Sequence, residues 1–368
     1  MVQRFCISVR SLVPSLIARC TSVLMVFQVL AIRLFCPCFQ KVPVRWIMQI
    51  KGGPRLLMTD RESAVYLEHA RIHVEGERVV YHIDDDENRR EFNIPHVNLA
   101  VLFIGQGTSI TQGAMRLLGE EGVHLAVTGS GGTPLHMGSL TSYTATRHFR
   151  ELLPIYLSEE KSLKAAISVM QDRTLRMRKL GGKGATKVLR ARETMGLSKK
   201  CASFEENLKT CASIQQLLGF EGQFTKACYA EFSSIAALPK DSPFRRDAGA
   251  GEATKGPTDR VKLINRLIDH GNYLCYGMAG AALWALGIPP HMSIFHGKTR
   301  AGGLVFDIAD SFKDALVLPL AFAPYKEKSV SEAEKTFRAR LIEAFNDHAI
   351  LKEAIATIDK LILAANLT

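Results

Sequence analysis

The first 47 residues contain no Asp or Glu, although six basic side chains occur there: Arg4, Arg10, Arg19, Arg33, Lys41 and Arg45. The segment also lacks a run long enough to cross a membrane. Its longest charge-free apolar stretch, between Arg19 and Arg33, is 13 residues long and includes Thr21, Ser22 and Gln28, whereas a spanning helix needs about 20. Charges recur through the stretch and no small-x-small cleavage site follows it, which argues against a signal peptide. Arg19 occupies the position where a lipoprotein Cys20 would want a small residue. The expectation is that residues 1–47 are a non-native or disordered extension and that translation starts at Met48 or Met58. The competing reading is a membrane-attached protein that uses this segment.

Other absences narrow the chemistry. No CxxC occurs among the eight cysteines, and Cys36-Pro-Cys38 is too tight for a zinc pair. Cys201, Cys211, Cys228 and Cys275 read as reduced, incidental thiols of a cytoplasmic protein. HExxH and GxSxG are absent, as is any internal repeat. Gly105-Gln-Gly107 lacks the third glycine of a dinucleotide fingerprint, and no series of βαβ units follows it. Gly181-Gly-Lys-Gly184 lacks phosphate-loop spacing. A mean hydropathy of +0.04 excludes a multi-span membrane protein.

What is present is 368 residues, room for two ordinary domains, and a net charge of +11. Such an excess favours a polyanionic partner, nucleic acid or an anionic membrane surface. Beyond the tail, the remaining 321 residues hold 41 Lys and Arg against 36 Asp and Glu, so much of the excess is local.

Patterning predicts an α+β fold: a small β-rich domain over 48–142 and a larger all-α domain over 143–368. Ala64–Val74 and Arg78–Ile83 alternate around Glu75-Gly-Glu77 and predict a hairpin. Asp84–Arg90 follows as a polar turn. Val97–Ile104 predicts a buried strand, Ser109-Ile-Thr-Gln112 a capping box opening a helix that Gly122 ends, Val123–Thr128 a strand, and Gly129–Gly132 a flexible turn. Helical stretches are predicted over Arg147–Leu180, Phe204–Ala237, Leu263–Leu286, Val305–Leu318, from Ser331-Glu-Ala-Glu334 towards Phe345, and over Ile350–Ala364. Pro239–Pro257 reads as a mobile loop.

Two features stand out as chemistry. Arg173–Lys200 carries ten basic residues against one acid, Glu193. Unmixed charge of this kind suits a phosphate backbone. Arg173, Arg176, Arg178, Lys179, Lys183, Lys187 and Arg190 are its candidate DNA-contacting residues. In the second, Asp307, Asp310 and Asp314 fall at i, i+3 and i+7, one helical stripe, close to His296, Lys298, Arg300 and Lys313. Clustered carboxylates with one imidazole suit Mg²⁺ or Mn²⁺, and the nearby cations suit phosphates. A solvated acidic face is the equally weighted alternative on spacing alone.

Longer motifs then add a resemblance. Asp269-His-Gly-Asn272-Tyr-Leu-Cys-Tyr276-Gly, Leu286-Gly-Ile-Pro289 and His296-Gly-Lys-Thr-Arg-Ala-Gly-Gly-Leu-Val-Phe-Asp307-Ile-Ala-Asp310 resemble the CRISPR-associated adaptation integrase and endonuclease. Phe92-Asn-Ile-Pro95, Gly105-Gln-Gly-Thr-Ser-Ile-Thr-Gln112 and Gly131-Gly-Thr-Pro134 are similar to its subtype I-F form. The resemblance spans about 56–365. It implies a metal-dependent nuclease that inserts protospacer DNA into the CRISPR array by 3′-hydroxyl attack on repeat phosphodiesters. It implies a Mg²⁺ or Mn²⁺ held by Glu221, His296 and Asp310, with Asp307 as a supporting acid and Glu231 as the alternative to Glu221. Lys313 matches a basic position beside that site. Asn272 and Tyr276 read as helix packing at least as readily as catalysis, and His270 as structural. The implied partners are double-stranded DNA, a second copy of the chain, and a small CRISPR-associated protein fused to a helicase–nuclease, with no membrane. A non-catalytic DNA-binding scaffold is the alternative function.

Overall fold

The computed structural model describes residues 61, 63–83, 91–128, 134–138, 146–179, 191–238, 244–247, 260–297, 302–325 and 329–367. They belong to one compact unit, Leu56–Thr368. The expected extension 1–47, the turns Asp84–Arg90 and Gly129–Gly132, the segment around 142 and most of Pro239–Pro257 lie outside the described residues.

All described strands precede residue 138, and only helices follow. One sheet runs β1 (Ser63–Leu67), β5 (Leu99–Ile104), β7 (His124–Val127), β8 (Leu135–Met137), with the first three parallel and β8 antiparallel. The other runs β4 (Phe92–Asn93), β3 (Arg78–Ile83), β2 (Ala70–Glu75), β6 (Ser109–Ile110). The predicted hairpin is β2–β3, closed by Gly76 and Glu77, both at positive φ, as a primed two-residue turn requires. Its first arm is shorter than expected. The chain breaks at His69, also at positive φ, and Ser63–Leu67 pairs in the other sheet.

β5 joins two cores. Leu102 and Ile104 face the core of the β-rich region with Ile72, Val79 and Leu118, while Val101 and Phe103 face the helical core. Burial on both faces explains why this strand reads as an unbroken apolar run. Helix α1 (Gln112–Glu120) is capped by Thr111, whose hydroxyl accepts from the Ala114 amide, so the expected cap at Ser109 is displaced by two residues into the turn after β6.

The helical region comprises α2 (Arg147–Leu157), α3 (Glu159–Lys179), α4 (Ala191–Lys209), α5 (Ile214–Ile235), α6 (Arg260–Ala285), α7 (Gly303–Ala309), α8 (Lys313–Ala321), α9 (Val330–Asp347) and α10 (Ile350–Asn366). Several breaks depart from expectation. Ser158 divides α2 from α3, its hydroxyl accepting from Lys161 N. Ser213 caps α5 through Gln216 N, dividing the stretch that begins before Phe204. Ser329, not Ser331, caps α9, accepting from Glu332 N. Short polar side chains satisfy free helix-start amides, and so set these boundaries.

α6 lies against the sheet because it carries little bulk. A Cβ on Gly277 would come within 2.2 Å of the Phe103 ring. On the far side of β1, the Asn346 amide completes both backbone groups of Ala64, accepting from its N–H at 2.8 Å and donating to its carbonyl at 3.3 Å. Gly105 packs against Tyr66, and Gly107 turns at φ 68° against His69. This glycine pair therefore serves the β5–β6 turn. Cys201, Cys228 and Cys275 are buried, and burial raises the Cys201 thiol to about 11, in keeping with inert thiols.

Candidate active site

The expected single helix over Val305–Leu318 is two helices. Asp310-Ser311-Phe312 interrupts it, with Ser311 Oγ donating to the Ile308 carbonyl at 2.8 Å. The one-stripe geometry of Asp307, Asp310 and Asp314 is therefore corrected. All three are buried, but each serves a different partner.

Asp307 is fully enclosed. Its Oδ2 accepts from Ser293 Oγ (3.1 Å), Ile294 N (2.5 Å) and Phe295 N (3.4 Å). Its Oδ1 accepts from His296 N (3.2 Å) and faces His296 Nδ1 at 2.7 Å. Asp307 thus shapes the 293–296 loop and aims the imidazole. The opposite ring nitrogen, His296 Nε2, lies 3.3 Å from Asp310 Oδ2.

Asp310 has no exposed surface, and beyond Lys313 and His296 neither carboxylate oxygen has a hydrogen-bond partner among the described residues. Its charge is met by ion pairing with Lys313 and by His296. Burial alone would raise its pKa, but Lys313, His296 and Arg173 outweigh burial and hold it below the usual range. For His296 burial acts downward, yet the Asp307 bond and the charges of Asp310 and Asp307 carry the pKa above the ordinary value. Lys313 is likewise raised despite burial, mainly by Asp310.

Glu221 on α5 approaches the same cluster. Its Oε1 accepts from Arg173 Nη1 at 2.7 Å and Thr225 Oγ1 at 2.8 Å. Burial raises the Glu221 pKa and Asp310 pushes it further, but Arg173 brings it below the ordinary value. Glu231 lies elsewhere, against Gly196 of α4. Tyr276 packs edge-on against Phe306 at 4.6 Å. His270 is half-buried at the sheet side, beside Tyr66, with its Nε2 enclosed and its pKa lowered to about 3 by desolvation.

A cation is a good match to this chemistry. A buried carboxylate, a half-buried one and an imidazole nitrogen, now held by Lys313, Arg173 and one another, are oxygen and nitrogen donors of the kind such an ion takes. Asp310 and His296 could hold it from one side and Glu221 from the other. Among the described residues, no three such side chains yet converge on one point. Glu221 is turned to Arg173, and Lys313 rests on Asp310.

Residues 64–359 match the family model described as CRISPR associated protein Cas1. The chain belongs to the Cas1 family. The CRISPR-associated endonuclease Cas1 of Pectobacterium atrosepticum is 34% identical over 316 residues, 82% of this chain and 93% of that one. Its namesake from Pseudomonas aeruginosa is 34% identical over 282 residues, 73% and 83% of the two chains. The solved TtCas1–DNA complex shares the fold at TM-score 0.58 and 23% identity, over 82% of this chain and 91% of that chain.

The expected DNA stripe of this Cas1 chain is divided by the structure. Arg173 is 1% exposed and binds Glu221, Thr225 and Asp314, so it is an interior residue and not a phosphate contact. Arg176 is used internally too, donating to the Ser311 and Glu353 carbonyls, to the Glu353 carboxylate and to Thr357. Arg178 pairs with Glu205 at 2.6 Å. Lys179 is exposed. Lys183, Lys187, Arg190, Lys298 and Arg300 lie outside the described residues. Sequence reasoning missed Thr225 and Ser293. The Glu221–Thr225 spacing of four on one helix was the available signal. No helix of the described residues is long and apolar enough to cross a membrane.

Proposed function

We propose that this chain is a metal-dependent DNA integrase and endonuclease of CRISPR adaptation. The observation that carries the reading is the fully buried Asp310, whose Oδ2 lies 3.3 Å from His296 Nε2 and whose charge acts on Glu221. The curated relatives, named as endonucleases, support a nuclease, and the solved TtCas1–DNA complex supports DNA as the partner.

Glu221, His296 and Asp310 would hold Mg²⁺ or Mn²⁺. Bound there, the ion supplies charge neutralisation at a phosphate and activation of an oxygen nucleophile. The chain's own residues prepare the site. Asp307 takes the Nδ1 side of His296 and leaves Nε2 facing Asp310, which fixes the imidazole's tautomer and direction. Lys313 keeps a cation against Asp310, and Arg173 keeps Glu221 ionised. In the proposed reaction a protospacer 3′-hydroxyl attacks a repeat phosphodiester and the repeat strand leaves on its own 3′-oxygen. One phosphodiester replaces another, so the chemistry needs no external energy source. Water as nucleophile would make the same site an endonuclease.

The proposed assembly is a homodimer on double-stranded DNA, with a small CRISPR-associated partner fused to a helicase–nuclease. The subtype I-F assignment rests on Phe92-Asn-Ile-Pro95 and Gly105–Gln112, and the relatives from Pectobacterium and Pseudomonas are consistent with it.

The test is half-site integration by Asp310→Ala and His296→Ala in Mn²⁺. Both should lose strand transfer while keeping duplex binding. Joining at the wild-type rate by either variant would overturn the site assignment. Salt-dependent duplex binding by the wild type without any metal-dependent transfer would establish the scaffold alternative instead.

A further inference from the structure

We infer that Arg173, acting with Thr225, is the positioning residue that selects which oxygen of Glu221 is available to a cation. The inference rests on the reading of Glu221 as a metal ligand.

Arg173 is among the largest fully buried side chains of the protein. Burying a guanidinium is costly unless its charge is matched and its donors are used. The charge is matched by Glu221 and Asp314 and both terminal nitrogens donate, while the buried Nε has no partner among the described residues. Nη1 donates to Glu221 Oε1 at 2.7 Å, and Nη2 donates to Thr225 Oγ1 at 2.8 Å and to the Asp314 carboxylate. Thr225 Oγ1 in turn donates to the same Glu221 oxygen at 2.8 Å. Oε1 therefore receives two hydrogen bonds, while Oε2 receives none from the described residues and is not sealed in.

This asymmetry has a mechanical origin. Arg173 comes from α3, Thr225 lies one turn beyond Glu221 on α5, and Asp314 opens α8. Three helices thus meet at one guanidinium, whose flat, rigid fork fixes angles that an ammonium would leave free. Asp314 pairs with Nη2, the terminal nitrogen that Glu221 does not use, which allows the cation to stay in place when Glu221 engages a ligand. Glu221 would therefore bind through Oε2 alone, with Oε1 kept by Arg173 and Thr225. This assigns functions to Asp314 and Arg173 that neither the acidic stripe nor the basic stripe suggested.

The test measures Mn²⁺ binding by calorimetry on the full chain, with thermal unfolding in a chelator as a separate readout. Glu221→Ala is the control for the underlying reading and should lose most Mn²⁺ affinity. Arg173→Lys keeps the charge but loses the fork, and should weaken Mn²⁺ binding about 10–100-fold, the range found when partners behind metal ligands are removed. Thr225→Val removes one of the two bonds to Oε1 without changing charge, and should weaken binding several-fold while the unfolding temperature stays near wild type. Where Arg173→Lys does not fold, Thr225→Val decides. Wild-type Mn²⁺ affinity in a folded Arg173→Lys protein, or in Thr225→Val, overturns the inference provided that Glu221→Ala has lost affinity. Unchanged affinity in Glu221→Ala itself would overturn the metal-ligand reading and this inference together.

Discussion

Two regions of the molecule bury histidines, and they hold them in opposite states. In the β-domain, His124 Nε2 and His136 Nδ1 share a hydrogen bond of 2.8 Å, beside Trp284. Burial, and for His124 the neighbouring His136, lower their pKa values to about 3 and about 4. In the helical region His296 is also largely enclosed, yet its pKa is raised, because Asp307 and Asp310 stand at its two nitrogens. Desolvation penalises the charged imidazole in both places. Carboxylates reverse the outcome only where they touch the ring. The β-domain pair is thus a neutral packing element, and the His296 cluster is built to hold positive charge.

The largest expected effect comes from removing the feature that separates the two. Asp310→Ala should reduce strand transfer by more than about a hundredfold, beyond the usual effect of losing an outer partner. It should also lower the His296 pKa towards the behaviour of His124, measurable by imidazole NMR. A His296 pKa unchanged in that variant would break the comparison.

Asp307→Asn should come next. The amide nitrogen would face backbone donors that now meet an oxygen, leaving at least one buried group unsatisfied at about 1–3 kcal/mol. Chemical denaturation should show that loss, with a smaller fall in strand transfer than for Asp310→Ala.

Acid titration should sharpen the contrast further. His124 and His136 have depressed pKa values, so the unfolded chain binds more protons than the folded one between about 6.5 and their folded values. Their contribution is present above pH 6.5 and is lost as pH falls towards 4. His296 has the opposite sign. Its contribution to the metal-free protein is full below the unfolded value and is lost as pH rises through the raised one. Unfolding temperature against pH for His136→Phe should show a shallower decline on the acid side, and for His296→Ala a shallower decline on the alkaline side.

The smallest effect is expected along α3, where the same contrast appears in cations. Lys179 is exposed at the helix end, while Arg173 is sealed within. Lys179→Ala should leave stability unchanged and weaken duplex binding slightly, with the salt dependence reduced by about one counterion. A loss of stability would mean that Lys179 is structural like Arg173.

The sequence was most legible where periodicity and long motifs spoke. The turn of the β2–β3 hairpin, the buried β5 run and α6 appear where the pattern put them. It was least legible where a short polar side chain ends a helix. Ser158, Ser213 and Ser329 compete with the backbone ladder, and Asp310-Ser311 splits what spacing read as one helix. Charge counting failed at Arg173 for a related reason: composition records the sign of a side chain but not which side of the surface it lies on. The His124–His136 pair left no motif, since it arises from the register of β7 against β8.

The loop at 293–296 has one more consequence. Successive backbone N–H groups of Ile294, Phe295 and His296 point at one carboxylate, that of Asp307. Such a row of amides is a ready cradle for an anion, and here the protein has filled it with its own side chain. Under the proposed function, a DNA phosphate arriving at His296 would find those dipoles already occupied. Its charge would have to be met by cations, on side chains or in solution, so tight substrate engagement at this point would be conditional on what the site has recruited beforehand.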